Sequence, residues 1–309
     1  VAATVRFHRT GGPDVLVVDD IPPPRPAPGQ VRLAVVAAGV NPVECRIRRG
    51  EVAPVGPGPW GLGTDVAGYV DAVGPGPGRF VVGDAVFGRA LGGAYAECAL
   101  ADAVDLLPKP AELPWDVAAS VAITGETAYR TLGLLGVTGL GGTLLVHGAS
   151  GGVGALAVQL AVIGGARVLG TAGPSNLERV RALGAEAVAY GPGGVERVRA
   201  LAPDGVDAVL DAAGAGVLGE SVALAGGPER VVTIADRRHA ATHGVTYSRG
   251  LVARLPMAEV FGALLPALVD RRVAVHVAHR VPLTDAARAH RISEAGHPGG
   301  RIVLTVRPG

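Results

Sequence analysis

The run Leu144 to Ala161, LLVHGASGGVGALAVQLA, limits the possible folds of this chain more than any other stretch. Leu144 to His147 reads as a buried strand and Gly152 to Ile163 as an apolar helix, with a glycine-rich turn between them. A strand that feeds directly into a helix is the opening of a βα unit in a parallel sheet. Counted from Ala149, the turn reads Ala-x-Gly-x-x-Gly. Gly151 and Gly154 therefore hold the second and third glycine places of a dinucleotide turn, and Ala149 replaces the first. Gly151 lets the backbone approach a pyrophosphate, Gly154 lets the helix pack closely on the strand, and Gly152 adds turn freedom. Free N–H groups and the dipole at the helix start would stabilise the diphosphate. Ala149, Ser150, Gly151, Gly152, Val153 and Gly154 are thus the candidate cofactor turn. A tight turn without a ligand would carry the same glycines, but the βα units that follow favour the ligand.

Those units run in order. Val168 to Thr171 is the next strand and Asn176 to Leu183 the next helix; Ala187 to Tyr190, Asp207 to Asp211, Arg230 to Ile234 and Val245 to Tyr247 supply later strands. Six strands make a complete doubly wound Rossmann fold. An NAD-selective version places an acid about 20 residues after the turn to bind the ribose diol. No acid occurs between Ala155 and Leu177. Ser175, Asn176 and Arg179 could donate hydrogen bonds to a 2′-phosphate, so NADPH is the expected cofactor. Arg179 reads equally well as a solvated helix residue. Thr171 and Tyr190, at later strand ends, join the candidate cofactor set.

The first third differs. Short alternating apolar segments, Val31 to Val36, Val66 to Val73 and Ala94 to Leu100, are separated by Pro and Gly clusters and read as a compact β domain. After Met257 a helical stretch leads to Ala274 to Val281, a second helix from Thr284 to Glu294 and a final strand from Arg301 to Val306. The 28 basic residues balance 27 acidic ones, which gives no electrostatic reason to expect nucleic acid. With only Cys45 and Cys98, neither a disulfide framework nor a four-cysteine zinc lobe can be built, and a reducing cytoplasm fits. The N-terminus lacks the apolar core of a signal peptide, and Ala155 to Ile163 is too short to span a bilayer, so no membrane association is expected.

Several ordered motifs together resemble the zinc-independent medium-chain dehydrogenase/reductases of the quinone oxidoreductase group. They are AAGVNPVECRIRRG, GLGTDVAGYVDAVG, VGDAVFG, GGAYAE, TAYRTL, HGASGGVG and GGRIVL. The resemblance implies an α/β protein in two parts: a GroES-like β domain over 1–123 and 270–309, completed by the last strand, and a Rossmann domain over 124–269. It also implies an active site in the cleft between them and a homodimer. Zinc-dependent relatives place a Cys where this chain has Asn41 and a His where it has Thr64, so no metal is expected.

By the same resemblance Asn41 is the active-site amide that polarises or orients, although it could merely fix the turn before Pro42. Arg46 stands where the family often has a Tyr; it can bind an anionic group but not donate a proton, or it can simply point to solvent. Glu44 is expected at the surface or in a hydrogen bond. Thr127 matches a position beside the nicotinamide, while Glu126 replaces a usual apolar residue there; Gly214 and Ile234 match the strand ends that flank the cofactor, although both would also be ordinary strand termini. His147 is expected to be buried. The implied activity is NADPH-dependent reduction, by hydride transfer without metal, of quinones or of the C=C bond of α,β-unsaturated carbonyl compounds. A free-standing polyketide enoyl reductase and a non-catalytic NADPH-binding protein are the alternatives.

Overall fold

The computed structural model describes residues 1–76, 78–137, 141–248, 254–296 and 298–309, and these divide into two compact units. The first comprises Val1–Ile123, Pro256–Val269 and Val275–Gly309; the second comprises Thr124–Leu255 and Asp270–Ala274. The helix Met257–Val269 therefore groups with the first unit, whereas the sequence division at residue 270 put it in the Rossmann block. Its apolar side explains the grouping. Phe261 is buried and meets Phe87 of the first unit edge to face, ring centres 5.3 Å apart.

The first unit is built on a seven-stranded sheet. Its main path runs Val277–Pro282, Arg301–Thr305, Gln30–Val40, Asp65–Val73, Ala85–Arg89, Leu106–Pro108, with Cys98–Asp102 paired to Gln30–Val40. The C-terminal strand Arg301–Thr305 lies antiparallel to Gln30–Val40, with Ile302 opposite Val40 and Thr305 opposite Ala37. The last strand is thus returned to the first domain, as the resemblance implies. Alternation along Gln30–Val40 and Asp65–Val73 sends Val31, Leu33, Val35, Val66 and Val70 into one core with Phe7, Tyr95 and Leu106. A three-stranded sheet of Leu16–Ile21, Ala2–Phe7 and Trp60–Gly61 completes the unit.

The second unit carries six parallel strands in the order Glu186–Ala189, Arg167–Ala172, Thr143–His147, Ala208–Asp211, Val231–Thr233, Thr246–Tyr247. Numbered along the chain this is 3-2-1-4-5-6, the doubly wound order, whose reversal lies between the first and fourth strands. The first strand is buried from Leu144 to His147, and the helix Gly152–Ile163 follows it with the bounds read from the sequence. Among the described residues no helix is long and apolar enough to cross a membrane.

Candidate functional site

In the second unit the glycine turn sits at the C-terminal end of the first strand. Gly148 has a φ of 74°, a conformation that side chains rarely adopt, and the turn closes with the Gly151 amide donating to the Gly148 carbonyl at 2.9 Å. A Cβ on Gly154 would fall 2.2 Å from that same carbonyl oxygen, which forbids any side chain there. The helix begins after Gly151 with no side-chain cap, and the first backbone donation back to the turn comes from Ala155 to Gly151. The amides of Gly152, Val153 and Gly154 are therefore left as donors at the helix start. A diphosphate fits this feature, since it needs N–H donors at a positive dipole end and backbone without side chains. Ala149 is fully buried at the first glycine place, and its methyl group has room because the facing residue is Gly170, where a Cβ would fall 2.7 Å from it.

Beneath the turn lies a polar network. His147 bridges the Thr171 hydroxyl at 3.1 Å and the Ser221 hydroxyl at 3.2 Å, and burial lowers its pKa to about 4, so it stays neutral. Asp211 is buried; it accepts from the amides of Ala213 and Gly214 at 2.9 Å each and from the Thr233 hydroxyl at 2.7 Å. Gly214 is thereby held at a φ of 68°, and the Ile234 amide donates to the Asp211 carbonyl at 3.0 Å. These contacts tie the ends of four strands together. Ser175 and Asn176 lie in the short turn after Arg167–Ala172, and Arg179 is half-buried on the next helix. The Tyr190 hydroxyl lies over Gly173, which opens that turn. Glu178, the first acid beyond the strand, is ion-paired to Arg181.

Thr127 is half-buried on the helix Ala122–Leu135. Its neighbour Glu126 is buried in an ion pair with Arg130 at 2.8 Å, and Arg130 in turn donates to Ser248. Glu126 thus brings no uncompensated charge.

In the first unit Asn41 caps the helix Pro42–Arg49 and is 3% exposed. Its backbone N–H donates to Glu44 Oε2 at 2.8 Å, and its Nδ2 donates to Asp65 Oδ2 at 3.1 Å. Arg301 Nη2 donates to Asn41 Oδ1 at 2.7 Å and lies 3.3 Å from Asp65 Oδ2, while Asp65 Oδ1 accepts from the Ile123 amide at 2.8 Å. Of the two buried carboxyls, Asp65 pairs with the guanidinium, whereas Glu44 is bonded to the Asn41 amide. Burial, then the neighbouring Asp65, push Glu44 up to about 7, against the pull of the Asn41 and Glu44 amides and of Arg301.

The sequence reading put Glu44 at the surface or in a hydrogen bond; it is hydrogen-bonded and buried. The signal was present in Asn41-Pro42-x-Glu44, an N-cap followed by Pro at the first helical position and Glu at the third, which folds the Glu back onto the cap. Asp65 and Arg301 went unassigned in the sequence. Arg46 is not brought into this cluster; it pairs with Glu51 at 3.5 Å at the surface.

Comparison with known proteins fits both units. An alcohol dehydrogenase GroES-like profile matches residues 27–111 and a zinc-binding dehydrogenase profile matches 183–304. The chloroplast envelope quinone oxidoreductase homolog of Arabidopsis thaliana is 31% identical over 318 aligned residues, covering 95% of each chain. The chain belongs to the quinone oxidoreductase group of medium-chain dehydrogenase/reductases. Human quinone oxidoreductase is 42% identical over 178 residues, 57% of this chain and 54% of that one, so the chain spans about half the length of this relative. Two solved members of the wider family share the fold over 99% of this chain and 100% of theirs. One, described as an NAD-dependent alcohol dehydrogenase, is 31% identical with a TM-score of 0.88; the other, a mycobacterial protein complexed with NADPH, is 30% identical with a TM-score of 0.84.

Proposed function

We propose that this quinone oxidoreductase relative is an NADPH-dependent reductase of quinones or of the C=C bond of α,β-unsaturated carbonyl compounds. The observation that carries the reading is the uncapped helix start at Gly152–Gly154, where position 154 admits no side chain. Bound NADPH supplies a hydride. The amides of Gly152, Val153 and Gly154 would hold its diphosphate, and Ser175, Asn176, Arg179 and Tyr190 would contact the 2′-phosphate, where the first acid, Glu178, is paired with Arg181. Thr171, Gly214 and Ile234, at the strand ends, would frame the rest of the cofactor, and Thr127 would face its nicotinamide.

Asn41 acts on the substrate. Hydride addition to a conjugated C=C bond drives negative charge onto the carbonyl oxygen, and the remaining Nδ2 hydrogen of Asn41 donates to it. Water supplies the proton to carbon, because the residue at the family's phenol position is Arg46, whose guanidinium offers hydrogen bonds in place of a phenol's acidic proton. A metal is not part of this reading: the guanidinium of Arg301 already lies against the Asn41 oxygen and would repel a cation there. The reading also includes a homodimer in a reducing cytoplasm, which the two unbridged thiols of Cys45 and Cys98 suit.

The test is NADPH and NADH oxidation with a panel of quinones and enones. Turnover with at least one acceptor class and a preference for NADPH is expected. Tight cofactor binding without turnover on any acceptor would contradict a reductase.

A further inference from the structure

The Asn41 amide is held by two groups of opposite character. Arg301 can only donate and Asp65, ionised, can only accept, so the orientation of the carboxamide is fixed by chemistry: Oδ1 to Arg301 at 2.7 Å, Nδ2 to Asp65 at 3.1 Å. A flipped amide would set its NH2 against the guanidinium and its oxygen against the carboxylate. Both partners are themselves anchored away from Asn41. Asp65 is fully buried, with its second oxygen on the Ile123 amide at 2.8 Å, and Arg301 is 7% exposed in the C-terminal strand, next to Ile302, which is paired with Val40. One guanidinium nitrogen, Nη2, serves both Asn41 and Asp65.

We propose that Arg301 and Asp65 are positioning residues of the reductase site, which lock the Asn41 carboxamide in one orientation and leave a single Nδ2 hydrogen for the substrate oxygen. The inference rests on the role given to Asn41 above. Orientation is one part of the effect. A cation at the amide oxygen also draws electron density from the amide and strengthens the remaining N–H as a donor, as hydrogen bonds in a chain polarise one another. The C-terminal strand is then a component of the site as well as of the sheet, because the charge that faces Asn41 arrives with residue 301.

Two measurements decide it. The first is kinetic. Arg301→Met is expected to lower kcat by about 100-fold, the scale of a misplaced catalytic group, with the NADPH Kd unchanged. Arg301→Lys should restore much of that loss, since a single nitrogen makes both contacts and a point charge can replace it. In an Asn41→Ala background the Arg301→Met change should alter kcat by less than about twofold, because residues that act through one another are not additive. Additive losses in the double variant, or wild-type kcat in a folded Arg301→Met, would overturn the proposal.

The second measurement does not depend on activity. Asn41 and Asn176 are the only asparagines in the chain, so side-chain 15N labelling of asparagine gives two NH2 groups to follow by NMR. The Asn41 pair is expected to show slow exchange of the proton bound to Asp65, lost in Asp65→Ala and shifted in Arg301→Lys. An Asn41 signal that exchanges like Asn176 in the wild type, or that neither variant moves, would overturn the positioning role. If the wild type reduces no acceptor, the functional reading falls while this arm still judges whether Asn41 is locked.

Discussion

In the nucleotide unit the groups offered to a ligand belong to the backbone, whereas in the first unit they belong to buried side chains. The turn from Gly148 to Gly154 is one contiguous stretch whose shape follows from missing side chains and whose donors are helix-start amides. The Asn41 cluster takes Asn41 and Glu44 from a helix start, Asp65 from a strand and Arg301 from the last strand, with Asp65 and Arg301 236 positions apart. A backbone site is robust in charge and sensitive to volume. A side-chain site of two carboxyls and one guanidinium is tolerant of neither, and its state depends on pH.

The largest expected effect falls on the backbone site. Gly154→Val places a side chain where a Cβ alone would lie 2.2 Å from the Gly148 carbonyl oxygen, so cofactor binding should be abolished in a fluorescence titration. Retained NADPH affinity would mean that the helix start does not hold the diphosphate, and the contrast between the two regions would lose its first half.

The pH response belongs to the other region. Glu44 is raised from 4.5 to about 7 by burial, so the folded state holds its proton more tightly than the unfolded chain. Its contribution to stability is therefore complete below pH 4.5 and is lost as pH rises through about 7, a loss on the order of 3 kcal/mol. Glu44→Gln cannot ionise, and its thermal stability relative to the wild type should rise between pH 5 and pH 8. A difference independent of pH would show that Glu44 is ionised in the folded protein throughout.

Asn41→Ala is expected to lower kcat by about 100-fold with the NADPH Kd unchanged, the loss typical of one oxyanion donor. Equal loss of cofactor affinity would blur the division of labour between the regions. The smallest effect concerns the 2′-phosphate. Arg179→Ala should weaken NADPH binding by about tenfold, the cost of one hydrogen bond to a charged group, and leave NADH binding unchanged. A similar change for both cofactors would remove Arg179 from that contact.

The same contrast decides what the sequence disclosed. The glycine turn, the helix Gly152–Ile163 and the six strands were legible because their determinants are local: period, glycine spacing and a strand running into a helix. The burial of Glu44 was legible in principle, since an Asn-Pro-x-Glu helix start folds the carboxylate back onto the cap. The pairing of Asp65 with Arg301 was not, because a long-range ion pair leaves no periodic trace in a single sequence. The helix Met257–Val269 escaped for a related reason: its position next to the nucleotide segment in sequence says nothing about Phe87, the ring it packs against.

The central claim is hydride delivery to a conjugated carbonyl acceptor, and it is tested most directly by following the hydrogen. NADPH carrying two deuteriums at nicotinamide C4 is incubated with the protein and an α,β-unsaturated ketone, and the product is analysed by NMR. The account predicts one deuterium at the β carbon and a solvent hydrogen at the α carbon. NADPH consumed without deuterium in the organic product, or no consumption with any enone or quinone, would contradict it.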